Sequence, residues 1–123
     1  MNEIKLTVHT FRMGTDKEAA LKVLEEAAEA YNEWAIYYDA IALTEGETEP
    51  YPDYIIANDF ERFADEVADC IQACCNLADR YGIDLQAAME RCEERNRERG
   101  RYNATPEVAA SVVIGALAVD ASC

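Results

Sequence analysis

The alternation of apolar and polar residues predicts an extended N-terminal segment followed by a long helix. Residues 3–10 alternate the two kinds of side chain, as a short strand or an extended arm would. A capping box at 15–18 (Thr-Asp-Lys-Glu) predicts a helix that begins there and runs to about Leu43. The next stretch, 44–57, is rich in acidic residues and proline and therefore predicts a loop.

Capping signals predict two further helices in the middle of the chain. A second capping-box pattern at 58–61 (Asn-Asp-Phe-Glu) opens a helix that ends near Gly82, because glycine is the usual residue just past a helix C-terminus. Asp84 can cap a third helix, which ends near Gly100.

The C-terminal segment predicts a fourth helix, 106–120. Thr105 can cap it, and Pro106 occupies the first helical position, where proline costs no hydrogen bond. This helix is apolar almost all round, so it must be buried against this chain or another copy of it. Four helices with short or medium loops predict an all-α, four-helix bundle that forms a single domain over residues 1–123.

Charge and composition exclude several classes of partner. The chain carries 25 acidic residues against 11 basic ones, a net charge of −14, so its surface repels nucleic-acid backbones. It has no basic amphipathic stretch for an anionic membrane and no apolar run long enough to span one. With no apolar signal core at the N-terminus, a cytoplasmic location is expected. A highly charged nucleotide can bind only where cations or a local basic cluster offset the repulsion.

Cysteine and histidine are poorly arranged for transition-metal chemistry. The five cysteines lie at positions 70, 74, 75, 92 and 123, an odd number without a zinc-binding spacing. Cys70 and Cys74 share a helix face and could hold a metal, but small core residues with free thiols in a reducing cytosol are the favoured interpretation. His9 is the single histidine and lies outside the helices, so a di-iron centre, which uses Glu-x-x-His pairs, is not expected.

Carboxylates on the first two predicted helices have a spacing that lets pairs of them share an ion. At about 100° per residue, Glu26 and Glu29 lie on one stripe of the first helix, and Glu66 and Asp69 lie on one stripe of the second. The remaining members of the two stripes are Lys22 and Glu33 on the first helix and Arg62, Ala73, Asn76 and Arg80 on the second. Side by side, the helices would offer four oxygen ligands of the kind that Mg²⁺ and Mn²⁺ prefer.

Both stripes lie opposite the main apolar face of their helix, an arrangement that by itself favours solvated surface over a metal site. The apolar faces consist of Leu21, Leu24, Ala28, Tyr31 and Ala35 on the first helix and of Phe63, Val67, Ile71, Cys74 and Leu77 on the second. Ile36 and Ala40 continue the first stripe, however, and Ala73 interrupts the second. These apolar residues indicate that both stripes are partly covered.

The order of the acidic motifs resembles a known signature. Glu25-Glu26-x-x-Glu29 followed by Glu66-x-x-Asp69 is similar to the EExxE…ExxD pattern of the all-α nucleotide pyrophosphohydrolases, the MazG-like superfamily. The resemblance implies a MazG-like helical fold and hydrolysis of a nucleoside triphosphate to the monophosphate and pyrophosphate. It also implies a requirement for Mg²⁺, with Mn²⁺ as the alternative ion.

Neighbouring residues extend the resemblance over about residues 16–102. Lys22 lies three residues before the first glutamate, where the family commonly has lysine, and Asn76 lies seven after Asp69, where many members have asparagine. The basic run 91–102 resembles the family's closing segment, although arginine stands where the family has lysine. The 36 residues between the acidic motifs also exceed the spacing of compact members.

The resemblance assigns roles to the acidic residues. Its metal ligands would be Glu26, Glu29, Glu66 and Asp69, and Glu25 would orient them or a water molecule, so that these five form the catalytic group. The bound ions would position the phosphates and lower the pKa of an attacking water, whose proton a carboxylate could remove. No protein nucleophile is required.

Residues around the carboxylates would contact the substrate. Lys22 and the arginines of the basic run could meet phosphate charge, Asn76 could hydrogen-bond the base or the ribose, and Trp34 could stack on the base. The substrate-binding residues implied are Lys22, Trp34, Asn76, Arg91, Arg95, Asn96 and Arg99. Alternatively, the basic run is an ordinary mixed-charge helix surface, and aromatic residues at helical spacing belong to the core.

The carboxylate faces are expected to be covered by another copy of the chain. This predicts a homodimer or homotetramer with its sites near the subunit interface, as is usual in the family. Two other functions stay open. One is a non-catalytic nucleotide-binding or regulatory helical module of the same fold, and the other is a phosphoribosyl-ATP pyrophosphohydrolase. Retention of all four implied ligands favours catalysis over the first of these.

Overall fold

The computed structural model describes residues 2–46 and 53–103, and within these ranges the chain forms three α-helices and no strand. Helix α1 spans Asp16–Gly46, α2 spans Asp53–Arg80 and α3 spans Leu85–Glu98. Helices α1 and α2 belong to one compact unit, Leu6–Ile83, and α3 belongs to a second unit.

The all-α prediction is confirmed for the described residues, and the predicted fourth helix, 106–120, lies outside them. None of the described helices combines the length and the apolarity that crossing a bilayer needs.

The predicted caps account for where α1 and α3 begin. The Thr15 hydroxyl accepts a hydrogen bond from the Glu18 amide at 3.2 Å, and the Asp84 carboxylate accepts one from the Ala87 amide at 3.0 Å. Each bond satisfies an amide that the first helical turn leaves without a partner. Gly14, just before the first cap, has a φ of +36°, a value that residues with a Cβ rarely adopt.

Helix α2 begins five residues before its predicted start, and α1 continues past its predicted end, so the predicted 44–57 loop is wrong at both ends. The capping-box pattern at 58–61 lies inside α2. Ile55 and Ile56 are partly buried, and packing of this first stretch outweighs the local capping signal that follows it. Asp53 adds a negative charge in the first turn, where it interacts favourably with the helix dipole.

Helices α2 and α3 end in the same hydrogen-bonded motif around a glycine. After α2, the Ile83 amide donates to the Ala78 carbonyl at 2.9 Å and the Gly82 amide donates to the Asp79 carbonyl at 3.1 Å. The equivalent bonds after α3 measure 3.1 and 3.0 Å. Gly82 and Gly100 have φ values of +62° and +72°, the left-handed geometry that this Schellman motif requires. The predicted helix ends near these two glycines are confirmed.

Helices α1 and α2 pack through the faces that carry the carboxylate stripes. The buried residues of this pair include Ala19, Glu26 and Ala40 on α1 and Ala73 and Asn76 on α2. Apolar residues occur all around α1, so periodicity does not single out its buried face. The interpretation of the first stripe as solvated surface is therefore wrong for Glu26, which is only 6% exposed.

The apolar faces identified in the sequence are turned largely outward. Leu24 and Tyr31 are each 68% exposed, and Val67 and Ile71 on α2 are more than one third exposed. The cover that the carboxylates need comes from the neighbouring helix of the same chain. The surface left open is the apolar one.

Residues 9–13, hereafter the arm, form no strand and are bound along α2. Three polar side chains of α2, spaced one helix turn apart, bind alternate backbone groups of the arm. The pairs are Gln72 with the His9 carbonyl (3.0 Å), Asn76 with the Phe11 amide (3.1 Å) and Arg80 with the Met13 carbonyl (2.9 Å). Helix side chains satisfy these backbone groups, so the arm needs no partner strand. Residues 3–10 form no strand in the structure, and the strand alternative for them is wrong.

Arg80 also anchors the start of α1. Its guanidinium donates to the Gly14 carbonyl at 2.9 Å and forms an ion pair with Asp16. The hydrogen bond from Arg80 and its positive charge hold the pKa of Asp16 below its usual value.

We expect Asp16→Asn to lower the thermal midpoint at neutral pH and to have little effect in strong acid. Because the folded-state pKa of Asp16 is lowered, the ion pair stabilises the fold above the unfolded-state pKa of about 3.9 and stops doing so as the pH falls through the folded-state value. Melting curves recorded by circular dichroism at neutral pH and at a pH of about 2 test this. Asp65→Asn, which removes an exposed carboxylate of α2, is the control. A midpoint difference that persisted in strong acid would contradict the assignment.

Candidate metal centre

Three of the four carboxylates implied as metal ligands converge between α1 and α2. One oxygen from each of Glu26, Glu29 and Glu66 lies within 4.8 Å of the other two. Glu26 and Glu29 are three residues apart on α1, and Glu66 reaches the same place from α2. In the described ranges this is the one group of three or more acidic, histidine or cysteine side chains close enough to share an ion.

Two oxygens in this group lack the partners that buried acidic oxygens usually have. Oε2 of Glu26 and Oε2 of Glu66 are inaccessible to solvent and accept no hydrogen bond. A buried acceptor left unpaired costs about 1–3 kcal/mol in general, and more when it is charged. Burial, followed by the negative charges of Glu29 and Asp69, raises the pKa of Glu66. A divalent cation among these oxygens would relieve both the desolvation and the repulsion, so the donor set fits Mg²⁺ or Mn²⁺.

Lys22 closes one edge of the group. Its ammonium lies 2.9 Å from Oε1 of Glu26 and 3.3 Å from Oε2 of Glu25. These two hydrogen bonds raise the pKa of Lys22 to about 12. Glu26 therefore gives one oxygen to Lys22 and leaves the other for an ion, while Glu25 is exposed and held by Lys22 outside the group of three.

Asp69 lies beside the group but not in it. It is exposed, three residues after Glu66 on α2, and close enough for its charge to raise the pKa of Glu66. The structure thus brings together Glu26, Glu29 and Glu66 and leaves the fourth implied ligand one helix turn away.

Asn76, expected to contact the nucleotide, is buried and holds the arm. Its Oδ1 accepts hydrogen bonds from the Phe11 amide at 3.1 Å and from Gln72 at 2.9 Å. A cavity of about 10 Å³ lies between the arm and the helices, with Lys22 and Arg80 among its lining residues. That volume holds about one water molecule, so the cavity is no nucleotide pocket.

A larger, open depression also borders Lys22. It measures about 560 Å³, and its lining includes Leu21, Leu24 and Glu25. It places open space beside the Lys22 edge of the carboxylate group.

Trp34 belongs to a row of exposed aromatic side chains on α1. Its ring centroid lies 5.2 Å from that of Tyr38 and 5.7 Å from that of Tyr31. At about 100° per residue, Trp34 is roughly 100° around the helix from Glu33 and the carboxylate stripe. Trp34 is 38% exposed, so part of its surface is accessible to a ligand or a partner.

The basic residues expected to contact phosphate lie on or just after α3, in the second compact unit, and are described within that unit alone. Arg91, Arg95 and Arg99 are exposed. Asn96 donates to the Cys92 sulfur at 3.7 Å and accepts from Arg101 at 3.5 Å. The i, i+4 pairing expected of a mixed-charge helix is present between Glu93 and Arg97, at 3.3 Å.

Cysteine provides no competing metal site in the described ranges. Cys70, Cys74, Cys75 and Cys92 are free thiols, as the sequence predicts for those four positions, but the prediction that they are core residues is wrong for Cys74, which is exposed, and the other three are only partly buried. Burial, together with the neighbouring Cys70, raises the pKa of Cys74 and keeps it protonated.

Glu33 is the residue that the sequence reasoning passed over. It lies on the first stripe, four residues after Glu29, but the MazG-like pattern gives it no role. Its Oε2 is inaccessible and accepts no hydrogen bond, like the oxygens of Glu26 and Glu66. The i, i+4 spacing from Glu29 was the available signal.

No protein-family model matches this chain, and neither a curated protein nor a solved structure matches it. The resemblance to the MazG-like superfamily therefore depends on the residues of the two acidic motifs and their neighbours, and it stays a prediction.

Removing one charge from the group should stabilise the metal-free chain. We expect Glu66→Gln to raise the thermal midpoint by a few degrees in a chelating buffer, because it removes a partly buried like charge while keeping the side-chain shape. Adding Mg²⁺ should then raise the midpoint of the original protein more than that of the variant.

Glu61→Gln, at an exposed position of α2, is the matched control and should change neither response. Equal stabilisation of all three proteins by Mg²⁺ would show that the ion binds elsewhere.

Proposed function

We propose that this chain is a Mg²⁺-dependent nucleoside triphosphate pyrophosphohydrolase that releases the nucleoside monophosphate and pyrophosphate. Mn²⁺ can replace Mg²⁺ in this proposal, and a cytoplasmic location is part of it. The observation that carries it is the convergence of Glu26, Glu29 and Glu66, two of them with buried oxygens that accept no hydrogen bond. The order of the two acidic motifs, to which these three residues belong, also supports it.

The spacing of the oxygens suits a small hard cation. Oxygens bound to one Mg²⁺ at about 2.0–2.1 Å lie roughly 3–4 Å apart, and the three carboxylates span no more than 4.8 Å. Asp69, exposed and one turn from Glu66, is placed to supply a fourth oxygen. Water and phosphate oxygens would complete the coordination, as is usual for Mg²⁺.

The chemistry divides between the ion and the carboxylates. Bound here, Mg²⁺ would neutralise phosphate oxygens and lower the pKa of an attacking water. Glu26 and Glu66 hold the centre from opposite helices, so their relative position depends on the packing of α1 against α2. Glu29 and Asp69 are exposed, and either can take the proton that the water gives up.

Basic residues would bind the phosphate oxygens whose charge the metal ion does not neutralise. Lys22 stays charged throughout the neutral range, since its pKa is about 12, and it lies between the carboxylates and the open depression. Arg91, Arg95, Asn96 and Arg99 remain the proposed phosphate contacts of the basic run. Trp34 would stack on the base, and Asn76 could contribute only through its amide nitrogen, because its oxygen holds the arm.

We also propose that the chain forms a homodimer or homotetramer through the apolar side of α1. Leu24, Tyr31 and Tyr38 are 68%, 68% and 55% exposed, and a highly charged chain is expected to associate where its surface is uncharged. The carboxylates need no partner copy for cover, so the apolar face, and not the metal centre, supports this assembly.

The assembly is tested by Leu24→Glu, which puts a charge in that face and should shift the mass measured by light scattering towards a single chain. Leu6→Glu makes the same change at an exposed position outside the helices and should leave the mass unaltered. A single-chain mass for the unaltered protein would contradict the proposal.

The activity is tested with a panel of common and modified nucleoside triphosphates, phosphoribosyl-ATP included, in the presence of Mg²⁺. We expect pyrophosphate release with at least one of them. Glu29→Gln, Glu66→Gln and Asp69→Asn should each lower kcat by about 100-fold or more, because each removes a charge that holds the ion or takes the proton.

Glu61→Gln and Asp65→Asn are the controls, and both should retain activity and helical circular dichroism. Release of orthophosphate in place of pyrophosphate, or full activity in all three ligand variants, would count against the mechanism. Binding without turnover on any substrate would favour a non-catalytic nucleotide-binding module.

A further inference from the structure

The apolar face of α2 carries two cysteines one helix turn apart. Cys70 is partly buried and Cys74 is exposed, and both are free thiols. Residues four apart lie on the same side of a helix, with their Cβ atoms about 5–6 Å from each other. Val67 and Ile71, on the same face, are each more than one third exposed, so an accessible pair of thiols has apolar surroundings. Packing in a core does not account for the exposure of Cys74.

The two thiols act on each other. Burial raises the pKa of Cys74, and the further causes are Cys70, which also forms a hydrogen bond with it, and then Cys75. Within the described residues, the titratable groups that act on Cys74 are therefore thiols. At about 100° per residue, Cys74 lies about 80° around α2 from Glu66 and about 140° from Asp69. The thiol pair is thus separate from the candidate metal centre.

The spacing of the pair suits a bridging ion better than a disulfide. The Cβ atoms of a disulfide are about 3.5–4.5 Å apart, closer than residues four apart on a helix, so a direct sulfur–sulfur bond would distort this turn of α2. An ion between two sulfurs adds two metal–sulfur bonds, each about 2.3 Å long for Zn²⁺, and so spans the wider gap. Cys70 and Cys74 can therefore bind one ion while the backbone stays helical.

The number of sulfur ligands determines the class of ion. Cys75 follows Cys74 directly and lies about 100° around the helix from it. In the described ranges, the glutamates of the candidate metal centre are the one group of three or more acidic, histidine or cysteine side chains that could share an ion, so this site offers two thiols and not three.

Two thiolates satisfy a soft ion of low coordination number. Structural Zn²⁺ takes four ligands, and Mg²⁺ takes oxygen ligands, so the pair completes the coordination of neither. Cu(I) is a soft ion that thiolates select, and two sulfurs in line with it are a complete set of ligands. The thiols therefore do not compete with the carboxylates for Mg²⁺.

We propose that Cys70 and Cys74 form a binding site for one soft, two-coordinate metal ion of the Cu(I) class on the apolar face of α2. Both thiols release their protons when the ion binds, because thiolate is the ligand form, and the oxidation state of the ion does not change. One helix would then bind a hard ion through oxygen and a soft ion through sulfur at two different places. This inference goes beyond the proposed function and does not depend on it.

The test is an anaerobic titration of the full-length, chelator-treated protein with Cu(I), in competition with a chromogenic Cu(I) chelator. We expect one ion per chain at the pair. Cys70→Ser and Cys74→Ser should each weaken its binding by about 100-fold or more, since even the groups that merely orient a metal ligand contribute about 10- to 100-fold.

Cys75→Ser and Cys92→Ser are the matched controls, because each removes one thiol outside the pair, and both should keep the ion. Glu66→Gln should also leave Cu(I) binding unchanged, and Cys74→Ser should leave the stabilisation by Mg²⁺ unchanged, so that failure of either site is seen separately. Helical circular dichroism of each variant checks that the fold is kept.

Three results would overturn the proposal. One is binding of Cu(I) that is equally strong in all the cysteine variants, and another is a loss in Cys75→Ser as large as the loss in Cys74→Ser. The third is displacement of Cu(I) from the unaltered protein by an equal concentration of Zn²⁺, which would show that the site is not selective for a two-coordinate ion.

Discussion

The contact between α1 and α2 contains acidic oxygens where most helix pairs contain only apolar side chains. Glu26 and Glu66 project into it, and the residues buried around them are mainly alanines, which permit close approach but bury little apolar area. The association of the two helices therefore depends on how the negative charge between them is compensated. Any ion that binds the carboxylates also stabilises the helix pair, because the same geometry serves both.

Charge is distributed unevenly along this contact. Lys22 lies at one end of the α1 stripe, beside Glu26, and Glu33 lies at the other end beyond Glu29. In the proposed reaction, a chain of phosphates would meet the fixed positive charge of Lys22 at one end of this contact. In the proposed reaction this asymmetry gives the triphosphate a preferred direction, and the packing of two rigid helices fixes the positions of the groups that set it.

Local signals predicted much of the fold because local hydrogen bonds determine it. The starts at Thr15 and Asp84 and the ends at Gly82 and Gly100 depend on atoms within a few residues, which the sequence shows directly. The start of α2 was predicted five residues too late, because partly buried side chains stabilise its first turns and burial is not a local property.

The candidate site was likewise predicted only in part from the sequence. Helical spacing and the family signature pointed to Glu26, Glu29 and Glu66, which do converge. Hydrophobic periodicity could not show that the carboxylate face of α1 packs against α2, since α1 is apolar on most sides. Glu33 was passed over because no motif includes it, and only its burial without a partner draws attention to it. An extended arm was one of the two predictions for the N-terminal segment, but its binding along α2 could not be predicted, since Gln72, Asn76 and Arg80 reach it across more than 60 residues of chain.

The way α2 binds the arm has a consequence for how this chain tolerates substitution. Gln72, Asn76 and Arg80 bind backbone carbonyls and an amide. These hydrogen bonds therefore do not depend on which side chains most residues would place at positions 9, 11 and 13. Proline at position 11 is the exception, because it would delete the amide that Asn76 accepts from. Substitutions in the arm are therefore expected to be tolerated better than substitutions on α2. On the helix, a single substitution removes the side chain that binds the arm, and no backbone group can replace it.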